Sequence, residues 1–208
     1  MAIHLEPREA SGAGQPTLAV VRSDELQELD PAVDVWQPAG SGWEDGDVVT
    51  ERVEVQRTIA ADPATIFRTL CDPQGHVAID GSGMLMSASG DSVTAAGDSF
   101  VVHMDREALN DYPLGLYDVT VSITKFEADR EIAWTILGQI RPQIGHVYGY
   151  RLEPIEGGTR VTSYYDWSAI DASWKEASIF PVVPESALRS TLGILARTVA
   201  PGLPRPGA

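Results

Sequence analysis

Histidine and aspartate side chains on the predicted strands are the residues of this sequence that could carry acid–base chemistry. Burial would perturb their pKa values and suit them to proton transfer. The candidates are His103, Asp118, His146 and Asp166. Alternation along the strands places His103 and Asp118 opposite the main apolar residues, so we expect both to face solvent. His146 has the parity of Tyr148 and Tyr150 and is therefore the best single candidate to face a cavity, but no catalytic residue is assigned.

A metal site is not predicted, and neither is any other cofactor. Zinc needs three or four converging ligands, often at short spacings. His76 and Asp80 could share one face of a helix, but a third ligand is not evident, so we expect a surface or capping role for His76. Cys71 is the only cysteine, which excludes an intramolecular disulfide. Its place beside a helix end is more typical of a small buried residue than of a nucleophile.

Two Gly-Asp-Ser triplets, residues 90–92 and 97–99, resemble the start of a GDS-type serine hydrolase block. That chemistry needs a histidine base, which usually lies near the C-terminus. The last histidine here is His146, and no suitable Asp-x-x-His arrangement follows it. We therefore interpret both triplets as turns that flank strands.

Aromatic and long apolar side chains share the inward parity of several predicted strands. Tyrosine packs its ring while its hydroxyl needs a partner, so several tyrosines on one sheet face suit a mostly apolar pocket with a few polar contacts. Plain core packing is the alternative for any one of these residues, but a dry core would more often use Leu, Ile and Val. The predicted ligand-binding residues are Phe100, Met104, Tyr117, Trp134, Tyr148, Tyr150, Tyr165, Trp167, Leu188 and Leu192.

The elements that must position these residues begin near residue 52. Val53, Val55 and Ile59 alternate with polar residues and predict a half-buried first strand. Asp62-Pro63 and Asp72-Pro73 each predict the start of a short helix, because the carboxylate caps free N–H groups and proline suits the first turn. A meander of six antiparallel strands then follows, from about residue 84 to residue 167.

One strand of this meander determines the shape of the sheet. Residues 116–127 would span about 40 Å if straight, so the strand must coil or bend and give the sheet a concave face. A helix can fill that face: Leu188, Leu192, Leu195 and Val199 form one apolar stripe. The helix is about 22 Å long and ends before Pro201-Gly202.

This order of elements resembles the START-like helix-grip superfamily, also labelled SRPBCC or polyketide cyclase/dehydrase, over residues 50–200. Segments 59–67, 76–83 and 161–168 strengthen the resemblance as scaffold motifs, and no catalytic motif is carried over. It implies an α+β helix-grip fold: a curved antiparallel sheet of about six to seven strands wrapped around a long C-terminal helix, with two short helices after the first strand. It also implies a deep cavity, used across the superfamily for lipids, polyketides, sterols, quinones or hormones.

Charge and composition divide the chain at about residue 48. Residues 1–51 contain 11 acidic side chains against two basic ones, and they carry most of the net charge of −15. We expect residues 1–47 to be a flexible, Pro- and Gly-rich extension, although Trp36 or Trp43 could dock on the domain. Residues 48–208 form the predicted helix-grip domain.

The composition also disfavours two classes of partner. Nucleic acid binding needs clustered Lys and Arg, and this chain has only two lysines and no basic cluster. An anionic membrane would repel the acidic chain, and no apolar run is long enough to span a bilayer. The N-terminus lacks the basic start and apolar stretch of a secretory signal, so we expect a cytoplasmic protein.

Three functions are therefore considered. The first is binding or carrying an apolar or aromatic small molecule, lipid- or polyketide-like, between the sheet and the C-terminal helix. The second is an enzyme of the polyketide cyclase/dehydratase type acting on such a ligand. The third is an interaction or stress-response protein with a filled cavity. The oligomeric state and the identity of the ligand stay open.

Overall fold

The computed structural model describes residues 50–107, 115–177 and 179–207, together with the backbone of residues 2–4 and 19–21. Two short strands, β1 (Ala2–His4) and β2 (Ala19–Val21), pair with each other. The other strands are β3 (Arg52–Ile59), β4 (Leu85–Ser89), β5 (Ser99–Asp105), β6 (Leu116–Glu127), β7 (Glu131–Leu137), β8 (Val147–Ile155) and β9 (Gly158–Asp166). The helices are α1 (Pro63–Cys71), α2 (Pro73–Ile79), α3 (Ala172–Glu176) and α4 (Glu185–Val199). The expectations for Trp36, Trp43 and a flexible extension lie outside the described residues.

The strands β3 to β9 form one antiparallel sheet in the order β3-β9-β8-β7-β6-β5-β4. The last six strands are a simple meander, as predicted. The first strand of this sheet, β3, pairs with β9, so the two short helices and the strands β4 to β8 lie between these neighbours in the chain. This seven-stranded sheet with a C-terminal helix confirms the predicted α+β helix-grip fold.

The strand β6 spans 12 residues and its pairing with β7 shifts between Ile123 and Lys125. Such a bulge adds one unpaired residue and increases the local twist and bend of the strand. The predicted bend of this long strand is therefore built into its hydrogen-bond register.

The two short helices begin where the Asp-Pro pairs predicted. The Asp62 side chain accepts a hydrogen bond of 2.8 Å from the backbone N–H of Thr65, and the Asp72 side chain accepts one of 3.0 Å from that of Gln74. A proline follows each aspartate at the start of its helix. The caps satisfy N–H groups that have no partner within the helix.

The last helix, α4, packs against β3, β9, α1 and α2. Leu188, Leu192 and Leu195 on its inner face are buried, and Leu192 is only 2% exposed. The predicted apolar stripe is therefore the face of α4 that packs against the concave face of the sheet. Among the helices of the described residues, none is long and apolar enough to cross a membrane.

A pair of glycine substitutions tests how closely α2 packs on α1. A Cβ at Gly75 would lie 1.9 Å from the carbonyl oxygen of Thr69, so we expect Gly75→Ala to destabilise the domain by about 1–3 kcal/mol. Gly193→Ala is the matched control, because its Cβ would meet nothing closer than Arg57 Nη1 at 3.9 Å. Alanine should favour α4 there by up to about 1 kcal/mol. Thermal unfolding measures both, and an undiminished Tm for Gly75→Ala would contradict this packing.

Candidate functional site

A cavity of about 320 Å³ lies between the inner face of the sheet and the helices α2 and α4. The strands β5 to β8 supply its floor, and the segments 138–146 and 179–183 complete its sides. Its volume is at the lower end of the range of about 300–1,000 Å³ that is common for small-molecule pockets. The curved sheet and the terminal helix therefore leave room for a compact molecule.

The wall of the cavity is mainly apolar. Aliphatic side chains come from the sheet, from α2, from α4 and from both flanking segments: Ile79, Val102, Val119, Val121, Ile136, Ile140, Ile144, Ile179, Val182, Val183 and Leu188. Ala187 of α4 also lines the cavity, and its small side chain preserves space there. Such a surface favours an apolar occupant because burial removes apolar area from water.

The predicted ligand-binding residues fall into two groups. Those in the cavity wall are Met104, Tyr117, Trp134, Tyr148, Tyr150 and Leu188, and His146 also lines the cavity. Those that lie outside the wall, in the buried core, are Phe100, Tyr165, Trp167 and Leu192. A role in ligand binding stays a prediction for every one of them.

Three aromatic residues form a row across neighbouring strands. Trp134 lies directly opposite Tyr148, and Tyr148 lies opposite Tyr165. The rings of Tyr148 and Tyr165 stack with their centroids 4.5 Å apart, and those of Trp134 and Tyr148 are 6.4 Å apart. Such pairs add about 0.5–1.5 kcal/mol beyond their buried area. The row therefore ties Trp134 and Tyr148, which line the cavity, to Tyr165 in the core behind them.

His146 lies at one end of this row. It is the last residue of segment 138–146 and directly precedes β8. Its Nδ1 atom is 3.0 Å from the hydroxyl oxygen of Tyr165. The side chain is 5% exposed, and burial lowers its pKa to about 4. Burial also raises the pKa of Tyr165 well above its usual value. Both groups are therefore neutral at pH 7, and the pair can orient a ligand or pass a proton between neutral partners.

His76 lies at the other end of the row and was not among the predicted site residues. Its Nε2 atom donates a 2.8 Å hydrogen bond to the carbonyl oxygen of Leu70, so the expected capping role is present, but the ring is buried and not on the surface. Burial lowers its pKa to about 4. Its place one turn before Ile79 on the inner face of α2 is the signal that could have identified it.

Three charged residues also contribute to the cavity wall, and each is engaged within the protein. The Asp80 carboxylate accepts hydrogen bonds from the backbone N–H groups of Ser82, at 2.8 Å, and Leu85, at 3.0 Å. Asp118 lies 2.7 Å from Nδ1 of His103. Arg106 is buried, its Nη1 atom donates to the sulfur of Met84 at 3.2 Å, and it has further interactions. Sequence reasoning missed Arg106, which follows directly after β5.

A Ser-His-Asp chain links three strands at the β4 end of the sheet. The Ser89 hydroxyl lies 3.2 Å from His103 Nε2, and His103 Nδ1 lies 2.7 Å from Asp118. His103 and Asp118 are roughly half exposed. This agrees with the solvent-facing orientation expected for His103, whereas Asp118 also borders the cavity. A catalytic triad also needs a buried carboxylate and a pocket beside the nucleophile. We therefore interpret this chain as a link between strands.

The remaining sites of possible chemistry have structural roles. Gly90 and Gly97 adopt positive φ angles, and Asp98 accepts a 2.7 Å hydrogen bond from the backbone N–H of Thr94. Both Gly-Asp-Ser triplets therefore begin in turns.

Burial raises the pKa of Cys71 to about 11, which disfavours its thiolate. Within the described ranges, no three His, Cys, Asp or Glu side chains are placed to hold a metal ion.

Solved structures share this fold at low sequence identity. Protein CV1439 from Chromobacterium violaceum is 12% identical with a TM-score of 0.51, and the match covers 72% of this chain and 96% of that one. Protein Ms6760 from Mycobacterium smegmatis is 16% identical with a TM-score of 0.51, covering 74% and 93%. A protein from Rhodobacter sphaeroides is 16% identical with a TM-score of 0.52, covering 74% and 94%. These likenesses show the fold alone.

The sequence itself identifies the family. No curated protein matches it significantly. Residues 50–200 match the family described as polyketide cyclase / dehydrase and lipid transport. The matched segment contains the seven-stranded sheet, α1 to α4 and the residues that line the cavity. The chain therefore belongs to the polyketide cyclase/dehydrase and lipid transport family.

Proposed function

We propose that this protein binds or carries an apolar or aromatic small molecule in the cavity between its sheet and α4. The observation that carries this proposal is the cavity of about 320 Å³ with its predominantly aliphatic and aromatic wall. Burial supplies the affinity, because each buried methylene group contributes about 0.8 kcal/mol. The membership of the family, whose description includes lipid transport, supports the same conclusion.

The polar groups of the wall would orient the ligand. Tyr148 and Tyr150 line the cavity, and burial raises the pKa of both, in the case of Tyr150 to about 12. Their hydroxyl groups therefore stay protonated at neutral pH. A few neutral polar groups in an apolar wall are typical of pockets that select a ligand by shape and by one or two hydrogen bonds.

An enzyme of the cyclase or dehydratase type is the second candidate. The observation that favours it is the 3.0 Å contact between His146 and Tyr165, with His146 in the cavity wall. A general base works best when its pKa is near the operating pH, and a histidine with a pKa of about 4 is a weak base. Binding therefore stands ahead of catalysis. The volume of the cavity is also an argument against the third alternative, an interaction or stress-response protein whose cavity is filled.

A neutral fluorescent probe tests the proposed binding function. We expect N-phenyl-1-naphthylamine to bind the protein with a blue-shifted, enhanced emission, because the cavity excludes water from an apolar probe. Ala187→Phe places a ring in the cavity and should weaken probe binding at least tenfold, which corresponds to about 1.4 kcal/mol. Fluorescence titration measures both proteins.

The matched control is Ala172→Phe, which adds the same ring at an exposed position of α3. It should leave the affinity for the probe unchanged. Equal affinity in the wild type and Ala187→Phe would place the probe elsewhere and refute binding in this cavity. Independently of this titration, native mass spectrometry of protein purified from its own host would identify the natural ligand.

A further inference from the structure

Two imidazole nitrogens in the cavity wall have hydrogen-bonding capacity that the described protein does not use. His76 uses Nε2 for Leu70, and His146 uses Nδ1 for Tyr165. In the described part of the chain, Nε of Arg57 is the side-chain atom that is both fully buried and without a hydrogen-bond partner. Nδ1 of His76 and Nε2 of His146 are not in that state, so they are not fully enclosed by the core. Since both residues line the cavity, these nitrogens are available to its contents.

The proton of His76 is assigned by its partner. A carbonyl oxygen only accepts hydrogen bonds, so Nε2, 2.8 Å from the oxygen of Leu70, must carry the proton. The ring is neutral at physiological pH, because burial lowers its pKa to about 4. Nδ1 therefore has a free lone pair and offers the cavity a hydrogen-bond acceptor.

His146 presents its second nitrogen to the cavity in either tautomer. Its Nδ1 atom is 3.0 Å from the hydroxyl oxygen of Tyr165, and a hydroxyl group can donate to that nitrogen or accept from it. Nε2 therefore offers either an N–H or a lone pair. A ligand hydroxyl can bond to both forms, because it donates as well as accepts.

The charged side chains of the wall already have partners within the protein. Both oxygens of Asp80 are occupied by Ser82 and Leu85, and Asp118 pairs with His103. Arg106 contacts Met84 and has other partners as well. Beside the tyrosine hydroxyl groups of the wall, the two imidazole nitrogens therefore remain as neutral hydrogen-bonding groups for a ligand. The wall carries two carboxylates, Asp80 and Asp118, against one guanidinium, Arg106, so its formal net charge is −1. A carboxylate ligand would lose its hydration without meeting a net opposite charge.

We propose that the ligand is an uncharged aromatic or alicyclic molecule with two oxygen functions, and not a fatty acid or other carboxylate. A hydroxyl group donates to Nδ1 of His76, and a second hydroxyl group bonds to Nε2 of His146 as donor or acceptor. The apolar frame between them lies over Trp134 and Tyr148, because His76 packs against the first ring at 4.8 Å and His146 against the second at 5.1 Å. This inference rests on the binding function proposed above.

Three naphthalenes of similar shape test the proposal at pH 7: naphthalene, 2,6-dihydroxynaphthalene and 2,6-naphthalenedicarboxylate. Quenching of the tryptophan fluorescence measures binding, since Trp134 lines the cavity. We expect the diol to bind about fivefold to tenfold more tightly than naphthalene, as one or two net hydrogen bonds allow. The dicarboxylate should bind more weakly than either.

The alternative outcomes are distinct. If naphthalene binds and the diol gains nothing, the inference about the oxygen functions is wrong while the binding function stands. If the dicarboxylate binds most tightly, the site selects anions and the inference is likewise overturned. If none of the three binds, the proposed binding function fails and the inference fails with it.

Variants assign part of the effect to His146. His146→Phe removes one of the two hydrogen-bond partners and should reduce the advantage of the diol over naphthalene while leaving naphthalene bound. Ala172→Phe is the matched control, because it adds the same ring at an exposed position outside the cavity wall, and it should keep the full advantage. An unchanged advantage in His146→Phe would refute the role of His146. The comparison of the three ligands on the wild type does not depend on how well either variant folds.

Discussion

Leu192→Asp is expected to prevent folding of the domain at 37 °C. Leu192 is 2% exposed on the inner face of α4, where the helix meets the core of the sheet. A carboxylate at this position would be buried without a partner, and it would also leave a cavity where leucine packed. Buried unpaired charges and truncated core leucines each cost several kcal/mol, so the sum approaches the whole stability of a domain, about 5–15 kcal/mol.

Circular dichroism and thermal unfolding measure this effect. Ser186→Asp is the matched control, since it places the same charge on the exposed face of the first turn of α4, where the helix dipole favours it. The control should unfold within a few degrees of the wild type. A cooperative transition at the wild-type Tm in Leu192→Asp would mean that α4 does not close the sheet.

The second large effect is expected from acid. His76 and His146 have pKa values of about 4 in the folded protein, against about 6.5 when unfolded. Between these values the unfolded chain binds protons that the folded protein does not, so the free energy of unfolding falls as the pH falls from about 6.5 to about 4. Each shift corresponds to about 3 kcal/mol, and the two together to about 6 kcal/mol. The contribution is complete above pH 6.5.

Urea unfolding at pH 7, 5.5 and 4.5 measures this dependence. In His146→Phe the loss between pH 7 and 4.5 should be about half that of the wild type, because one of the two titrating groups is gone. Ala172→Phe, which leaves both histidines in place, should retain the wild-type pH dependence. The aspartates with lowered pKa values, among them Asp62 and Asp98, lose their contribution at still lower pH and do not obscure this window. A stability that is flat from pH 7 to 4.5 would show that the two histidines are not buried as neutral groups.

The elements of the fold could be predicted from local patterns because each pattern is enforced by short-range physics. The Asp-Pro pairs at residues 62–63 and 72–73 determine where two helices begin through capping bonds and a fixed proline φ. The length of the strand 116–127 required a bend, and a bulge after Ile123 is how the chain makes it. The leucine stripe of α4 identified the face that the sheet would bury.

The candidate site was predictable only in part, because strand parity indicates a side of the sheet and not a depth within the fold. Tyr148 and Tyr165 have the same inward orientation and stack on one another, yet Tyr148 lines the cavity and Tyr165 lies behind it. Helix α4 packs on β9, and Trp167 and Phe180 stack at its end. These elements cover Tyr165, so Tyr148 is the tyrosine of this pair that can contact a ligand.

The amino-acid sequence by itself determined the strands, the helices and the side of the sheet that carries the aromatic residues, since these depend on neighbours within a few positions. Only the tertiary structure decided which side chains surround open space and which nitrogen of each histidine is free. His76 illustrates the difference: its bond to Leu70 and its contacts with Phe100 and Trp134 join α1, α2, β5 and β7. Burial and proton positions are set by contacts between distant segments, and no local pattern records them.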